Sequence, residues 1–309
     1  MRLSCSQQTI PESGVQMVQR GFRVSSCCGF TILELLICMG IILLLLAILL
    51  PALDSARESA RRIQCNDHLK QLGFALHHYH EMNGFFPPGW QWDARQETVF
   101  GWLPPLLPYL EQNNLHLNVN YQEAVSGPLN ALARARTPAN FLCPSDMTQP
   151  RFMLYKEANL AGPSRDVGLV LLPSASYLGV FGVEEPDDTW RTRAGAGIFG
   201  GPAPVRIQDI QRGLSLVIMV GERRASTIPS TWLGIDIRGE DAHCRILGNA
   251  DLGPNVRHAD ECEFTSRHPG MVNFLWADGH VKSISNSIES SIYRQMATAT
   301  HFTAAQFAF

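Results

Sequence analysis

The 309-residue chain carries 25 basic and 28 acidic side chains, with 45% hydrophobic and 17% charged residues. This is the composition of a folded protein, neither disordered nor polytopic, with room for a membrane helix and one sizeable domain. Its formal charge of −3 offers no basic face and argues against nucleic acid as a partner.

Residues 1–29 hold Arg2, Arg20 and Arg23 against Glu12; without them 22 basic and 27 acidic side chains remain, a charge of −5. From Phe30 to Leu53 the only charged residue is Glu34 and the only helix breaker is Pro51. A helix of about 20 apolar residues can cross the hydrocarbon core of a bilayer. A carboxylate inside it costs on the order of 3 kcal/mol, so Glu34 needs a partner or a task. Arg20 and Arg23 ahead of the run keep the leader cytoplasmic, giving a single-pass inner-membrane protein with a periplasmic or extracellular C-terminal domain.

Past Pro51, where a missing amide and a ring clash predict a kink, the helix continues. Ala56, Ala60, Ile63, Cys65, Leu69, Leu72, Leu76 and Tyr79 step by three and four, opposite Arg57, Glu58, Arg61, Arg62, Asp67 and Lys70. Asn83-Gly84 stops it, so residues 30–83 form one helix of roughly 80 Å with its membrane part at 30–53.

Residues 84–309 read as a β-rich domain, making the fold class α+β. Leu103–Leu115 is a short Pro-flanked helix; Val167–Leu172, Ala175–Phe181, Leu214–Gly221 and Thr231–Ile237 are strands. Glu184–Arg193 is an exposed loop whose paired acids could take calcium. Val272, Phe274 and Trp276 alternate with Asn273 and Leu275, and Asp278-Gly279 then predicts a type I′ hairpin turn to His280–Ile284. Ile288, Ile292, Tyr293 and Met296 predict a C-terminal helix.

Cys5, Cys27 and Cys28 lie in the leader and Cys38 in the apolar run. Four cysteines remain outside, Cys65, Cys143, Cys244 and Cys262, which an oxidising compartment would pair as two disulfides in one of three connectivities. Cys65–Cys143, tying helix to domain, and Cys244–Cys262, closing a short loop, are preferred. No CxxC spacing suggests zinc, and no cofactor is expected. A lipoprotein motif at Cys38 fails, because Ile37 is too large and the apolar stretch lies after the cysteine.

Gly29-Phe30-Thr31-x-x-Glu34 before an apolar run resembles the N-terminal signature of type IV prepilins and type II secretion pseudopilins. The resemblance implies that a prepilin peptidase cuts between Gly29 and Phe30, that Phe30 is N-methylated, and that Glu34 guides assembly with other pilin-like subunits. A second set of motifs spreads from Arg61-Arg62-x-x-Cys65 through Leu69-Lys70-Gln71-Leu72-Gly73, Phe86-Pro87-Pro88-Gly89, Cys143-Pro144-Ser145-Asp146 and Gly221-Glu222 to His268-Pro269-Gly270 and Ala277-Asp278-Gly279-His280. Together they resemble the DUF1559 family, which implies a pilin-like helix carrying a glycan-binding domain. Arg212 stands where that family prefers a small acid or amide.

Three further constellations could carry chemistry. His268, Asp278 and His280 could meet across the hairpin as metal ligands, although turn chemistry explains Asp278 and a strand start explains His280. His77 and His80 share a helix face at i, i+3 without the acidic partners of a metal motif. Trp90, Trp92 and Trp102, among Phe85, Phe86 and Phe100, could stack on sugar rings or pin an irregular loop, the second being favoured. No Gly-x-Ser-x-Gly or phosphate loop is present. The expected function is that of a non-enzymatic, membrane-inserted pseudopilin-like subunit. The alternatives are a glycan-binding surface module that does not polymerise and a secreted hydrolase.

Overall fold

The computed structural model describes residues 31–146, 149–157, 167–191, 194–256 and 261–299. The leader and the Gly29–Phe30 junction lie outside the described residues. The chain divides into two compact units, residues 1–52 and 53–309.

Helix α1 spans Ile32–Asn83 with Pro51 inside it. Its start is a capping box. Thr31 Oγ1 accepts from Glu34 N at 3.2 Å, and Glu34 Oε2 accepts from Thr31 N and from Thr31 Oγ1, each at 2.9 Å. Glu34 therefore has a local task at the helix entrance, which its isolation among apolar residues did not disclose. Residues 32–52 of the first unit are exposed throughout. In the second unit α1 buries Cys65, Leu69, Leu72, Gly73, Ala75 and Leu76. Burial thus starts at Cys65, not at Ala56: Ile63 is 60% exposed, and Ala56 and Ala60 are exposed too. Gly84, with φ 82°, ends the helix in the left-handed conformation, its N–H donating to His80 O at 2.7 Å.

The second unit is α+β, and its described residues form three mainly antiparallel sheets. Strands β1 (Trp90–Trp92) and β2 (Thr98–Gly101) pair with β8 (Gly234–Asp236); β3 (Arg151–Tyr155) and β4 (Gly168–Ala175) pair with β7 (Ser230–Thr231). The largest sheet runs β11-β10-β6-β5-β9, from β5 (Tyr177–Gly182), β6 (Ile218–Glu222), β9 (Leu247–Asn249), β10 (Met271–Trp276) and β11 (Val281–Ser285). Among the described strands the β5/β9 pairing is parallel, and an isolated parallel bridge joins Asn249 to Glu263. Helix Ser290–Met296 is the expected C-terminal one.

Strand β10 positions the site, because its two faces serve different surroundings. Val272, Phe274 and Trp276 enter one apolar cluster with Phe264, Ile284 and Tyr293. Leu275, on the other face, belongs to the larger cluster that holds the buried stretch of α1. A Cβ on Gly73 would stand 2.8 Å from Leu275 Cδ1, so glycine is what lets α1 approach β10 this closely.

Several local expectations need correction. Leu103–Leu115 is two pieces, a 3-10 helix Pro104–Leu110 and a turn Asn113–His116, separated by Glu111 at φ 60°. Pro108, which lacks an amide donor, keeps the segment from becoming one α-helix. Leu214–Leu216 is a 3-10 turn, and the strand begins only at Ile218. The β10–β11 turn is not type I′, which needs two consecutive residues of positive φ: of Ala277, Asp278 and Gly279 only Gly279 has one, at 90°. Gly279 N donates to Trp276 O and Trp276 N to His280 O, each at 2.9 Å, giving a type I turn closed by a left-handed glycine. Glu184–Arg193 is not simply exposed: Pro186–Thr189 is helical and Pro186 is buried.

Candidate functional site

Both expected disulfides are present, Cys65–Cys143 with Cα atoms 5.4 Å apart and Cys244–Cys262 with 5.0 Å. Immediately beside the first lies a cluster that joins four of the sequence motifs. His268, whose side chain is fully buried, enters β10 from below; its Nδ1–H donates to Glu58 Oε1 of α1 at 2.7 Å. Its Nε2 lies 3.5 Å from Glu222 Oε1 at the end of β6 and 3.6 Å from Cys143 Sγ. Glu222 is 1% exposed and accepts from Asn273 N at 3.1 Å and Asn273 Nδ2 at 3.0 Å. Asn273 sits two residues before Leu275, on the same face of β10.

Glu58 is equally engaged. Arg61 donates to its Oε2 through Nε at 2.9 Å and Nη2 at 2.8 Å, and Ser145 Oγ donates to both oxygens at 3.1 Å. Burial works against its charge, but hydrogen bonds from His268, Arg61 and Ser145 outweigh it and hold the pKa below the ordinary 4.5. For His268 burial opposes the cation, while Glu222 and then Glu58 outweigh it and raise the pKa above 6.5. The imidazole is held between two carboxyl groups, an arrangement that favours its protonated form. Next to it Asp146 accepts from Arg267 Nε at 3.1 Å and Ala225 N at 2.7 Å. An open cleft of about 480 Å³, lined by Ser145, Arg224, Asn255 and Arg267 among others, leads to Glu58 and His268.

This arrangement fastens α1 to the sheet; as a nucleophile–base pair it is ordered wrongly. Ser145 donates to a carboxylate, whereas an activated serine needs its hydroxyl against the imidazole. Glu58, Ser145 and Glu222 had no assigned role in the sequence. Gly221-Glu222 and Cys143-Pro144-Ser145-Asp146 were visible as motifs, but Glu58 looked like one more acid on a solvated helix face.

The other candidates fare differently. His268, Asp278 and His280 do not meet: the six residues of β10 stand between the first and the other two, roughly 20 Å of strand. Asp278 Oδ1 accepts from His280 Nδ1–H at 2.5 Å, and His280 stacks on Trp276 with 5.1 Å between centroids. His80 Nε2 accepts from Ile207 N at 3.2 Å and His77 packs edge-on against Phe86, so the pair serves packing. Trp90 and Trp102 are 2% and 1% exposed and sit in the core, which removes them as sugar contacts; Trp92 is half-buried against Trp190. Of the acids suggested for calcium, Asp187 Oδ1 accepts from His243 N at 2.7 Å, and Glu185 Oε1 lies 3.5 Å from Cys262 Sγ. Arg212 Nη2 donates to Gln295 Oε1 at 3.1 Å.

The class these features define is a helix-led α+β protein that has, among the described residues, two disulfides, an ion-paired histidine at the foot of the β10–β11 hairpin, and one helix long and apolar enough to cross a membrane. The chain belongs to the DUF1559 family: the family model described as a protein of unknown function (DUF1559) matches residues 54–291. The match contains Glu58, Cys65, Cys143, Glu222 and His268 and begins beyond Glu34. No curated protein matches the chain, and neither does any solved structure.

Proposed function

We propose that the chain is a pseudopilin-like membrane subunit, cut by a prepilin peptidase between Gly29 and Phe30 and N-methylated at Phe30. Its role is assembly with other pilin-like subunits, with the disulfide-bonded domain in an oxidising compartment outside the inner membrane. The observation that carries this reading is the apolar half of α1. Its most apolar window has a mean hydropathy of 3.1 and none of it is buried within the chain. The leucine and isoleucine side chains from Ile32 to Leu50 are 47–80% exposed, a surface that only lipid or neighbouring helices can cover.

Glu34 fits the same reading. In the uncut chain its carboxylate closes the capping box with Thr31. Cutting at Gly29 frees an amine at Phe30, and a carboxylate one turn into the helix can neutralise that amine on an adjacent subunit, setting helix register in low dielectric. Burial of Trp90 and Trp102 counts against the glycan-binding alternative, and the Ser145–Glu58 contact against the hydrolase.

The test is photo-crosslinking in native membranes from a probe placed at Leu43. Wild-type chain should give crosslinked pilin-like oligomers and Glu34→Ala monomers; wild-type chain that stays monomeric would refute assembly.

A further inference from the structure

Four side chains able to ligate a soft metal surround the Cys65–Cys143 bridge. The two sulfurs, a Glu222 oxygen and a His268 ring nitrogen all lie within 4.8 Å of one another, and all four residues are buried. We propose that, when the bridge is reduced, Cys65, Cys143, His268 and Glu222 bind one Zn²⁺, so that disulfide and metal are alternative fasteners between α1 and the sheet. The inference goes beyond the assembly reading and is independent of it.

Geometry carries the proposal. Zinc bonds of about 2.3 Å to sulfur and 2.0–2.1 Å to nitrogen, at tetrahedral angles, place those two donors roughly 3.5 Å apart. His268 Nε2 lies 3.6 Å from Cys143 Sγ and 3.5 Å from Glu222 Oε1, close to the edges of such a tetrahedron. The imidazole is also held as a zinc ligand is held. Its Nδ1–H is given to a carboxylate, Glu58, which leaves Nε2 as the nitrogen that faces the other donors. Glu222 is itself oriented by two hydrogen bonds from Asn273. Two thiolates with an imidazole and a carboxylate select zinc over calcium or magnesium, which take oxygen donors.

The exchange balances with a dithiol as reductant. One of its thiolates attacks a sulfur of the bridge, and its second thiol resolves the mixed disulfide. Two cysteine thiols and one cyclic disulfide result. Binding of Zn²⁺ by two thiolates and the neutral imidazole then releases two protons from the thiols, and a third from His268 Nε2 where the ring was protonated. Attack by the Cys65 or Cys143 thiolate on an external disulfide, resolved by the other thiolate, re-forms the bridge, releases the external disulfide as two thiols and expels the metal.

The test uses the full chain in detergent, reduced with a phosphine, desalted under argon and titrated with Co²⁺. The proposal expects one Co²⁺ per chain with sulfur-to-cobalt charge-transfer bands and intense tetrahedral visible bands, bleached by Zn²⁺. Those bands should persist in Cys244→Ser/Cys262→Ser and vanish in Cys65→Ser/Cys143→Ser. On the unsubstituted chain, Zn²⁺ should raise the melting temperature after reduction and leave it unchanged before. Weak octahedral absorption from the reduced chain, or charge-transfer bands that survive Cys65→Ser/Cys143→Ser, would overturn it.

Discussion

His268 Nδ1 stands 2.7 Å from Glu58 Oε1, across 210 positions of sequence, and the contact joins the foot of the β10–β11 hairpin to the long helix. With Glu222 on its other side, the imidazole ties three elements together: α1, β6 and β10. Removing one member of such a buried group leaves the others as uncompensated charges. His268→Ala is therefore expected to destabilise the chain by about 3 kcal/mol, since Glu222 remains buried beside Asn273. Glu58→Gln should cost less, because Glu58 lies at the solvent edge with 24% of its side chain exposed. A urea-unfolding cycle of the two single variants and the double variant should return a coupling of about 1 kcal/mol or more. Additive effects would show that the contact does not hold the helix.

The same group predicts a pH dependence. His268 has a folded pKa above 6.5, so its contribution is complete below 6.5 and fades as pH rises through the folded value. Glu58 has a folded pKa below 4.5, so its contribution is complete above 4.5 and fades as pH falls through the folded value. The stability difference between wild type and His268→Asn should therefore be largest between about pH 4.5 and 6.5 and shrink on both sides. A difference that grows above pH 7 would contradict the assignment of charges.

Glu263 gives a separable effect. Its Oε1 accepts from Asp251 N at 2.7 Å and Leu252 N at 2.6 Å, while burial, ahead of all other influences, pushes its pKa up to about 7. A raised carboxyl pKa means stability is lost as pH climbs from 4.5 through 7. Glu263→Gln keeps the acceptor oxygen and removes the charge. It should stabilise the chain at pH 8 by on the order of 2 kcal/mol and change little at pH 4.5, read from melting curves at the two pH values.

The disulfides should differ in weight. Cys65–Cys143 closes a separation of 78 residues and Cys244–Cys262 one of 18. Loop-closure entropy assigns about 4.5 kcal/mol to the first and about 3 kcal/mol to the second. Replacing the first pair by serine should lower the melting temperature more than replacing the second. Non-reducing peptide mapping of the parent chain should show both pairings.

How much of this was legible in the sequence depended on range. The helix, the β10–β11 hairpin and the C-terminal helix rest on local periodicity and turn chemistry, and residues such as Val272, Phe274 and Leu275 carried them. The turn type was misread because Asp278-Gly279 serves a type I turn with a left-handed glycine as readily as a type I′ turn. Trp90 and Trp102, read in the sequence chiefly as pins of an irregular loop, are buried, whereas Trp92 in the same reading is only half-buried, since burial within a loop is decided by what folds over it. The Glu58–His268–Glu222 cluster was out of reach for a stronger reason: no local pattern ties three residues on three elements. The motifs containing Glu222 and His268 marked two corners of the cluster, and only the fold supplied the third.

The assembly account rests on the segment around Gly29 and Glu34, and intact-mass spectrometry with N-terminal sequencing of membrane-extracted protein tests it most directly. The account predicts a mature chain that begins at N-methylated Phe30. A chain that still carries residues upstream of Gly29 in cells with an active prepilin peptidase would contradict it.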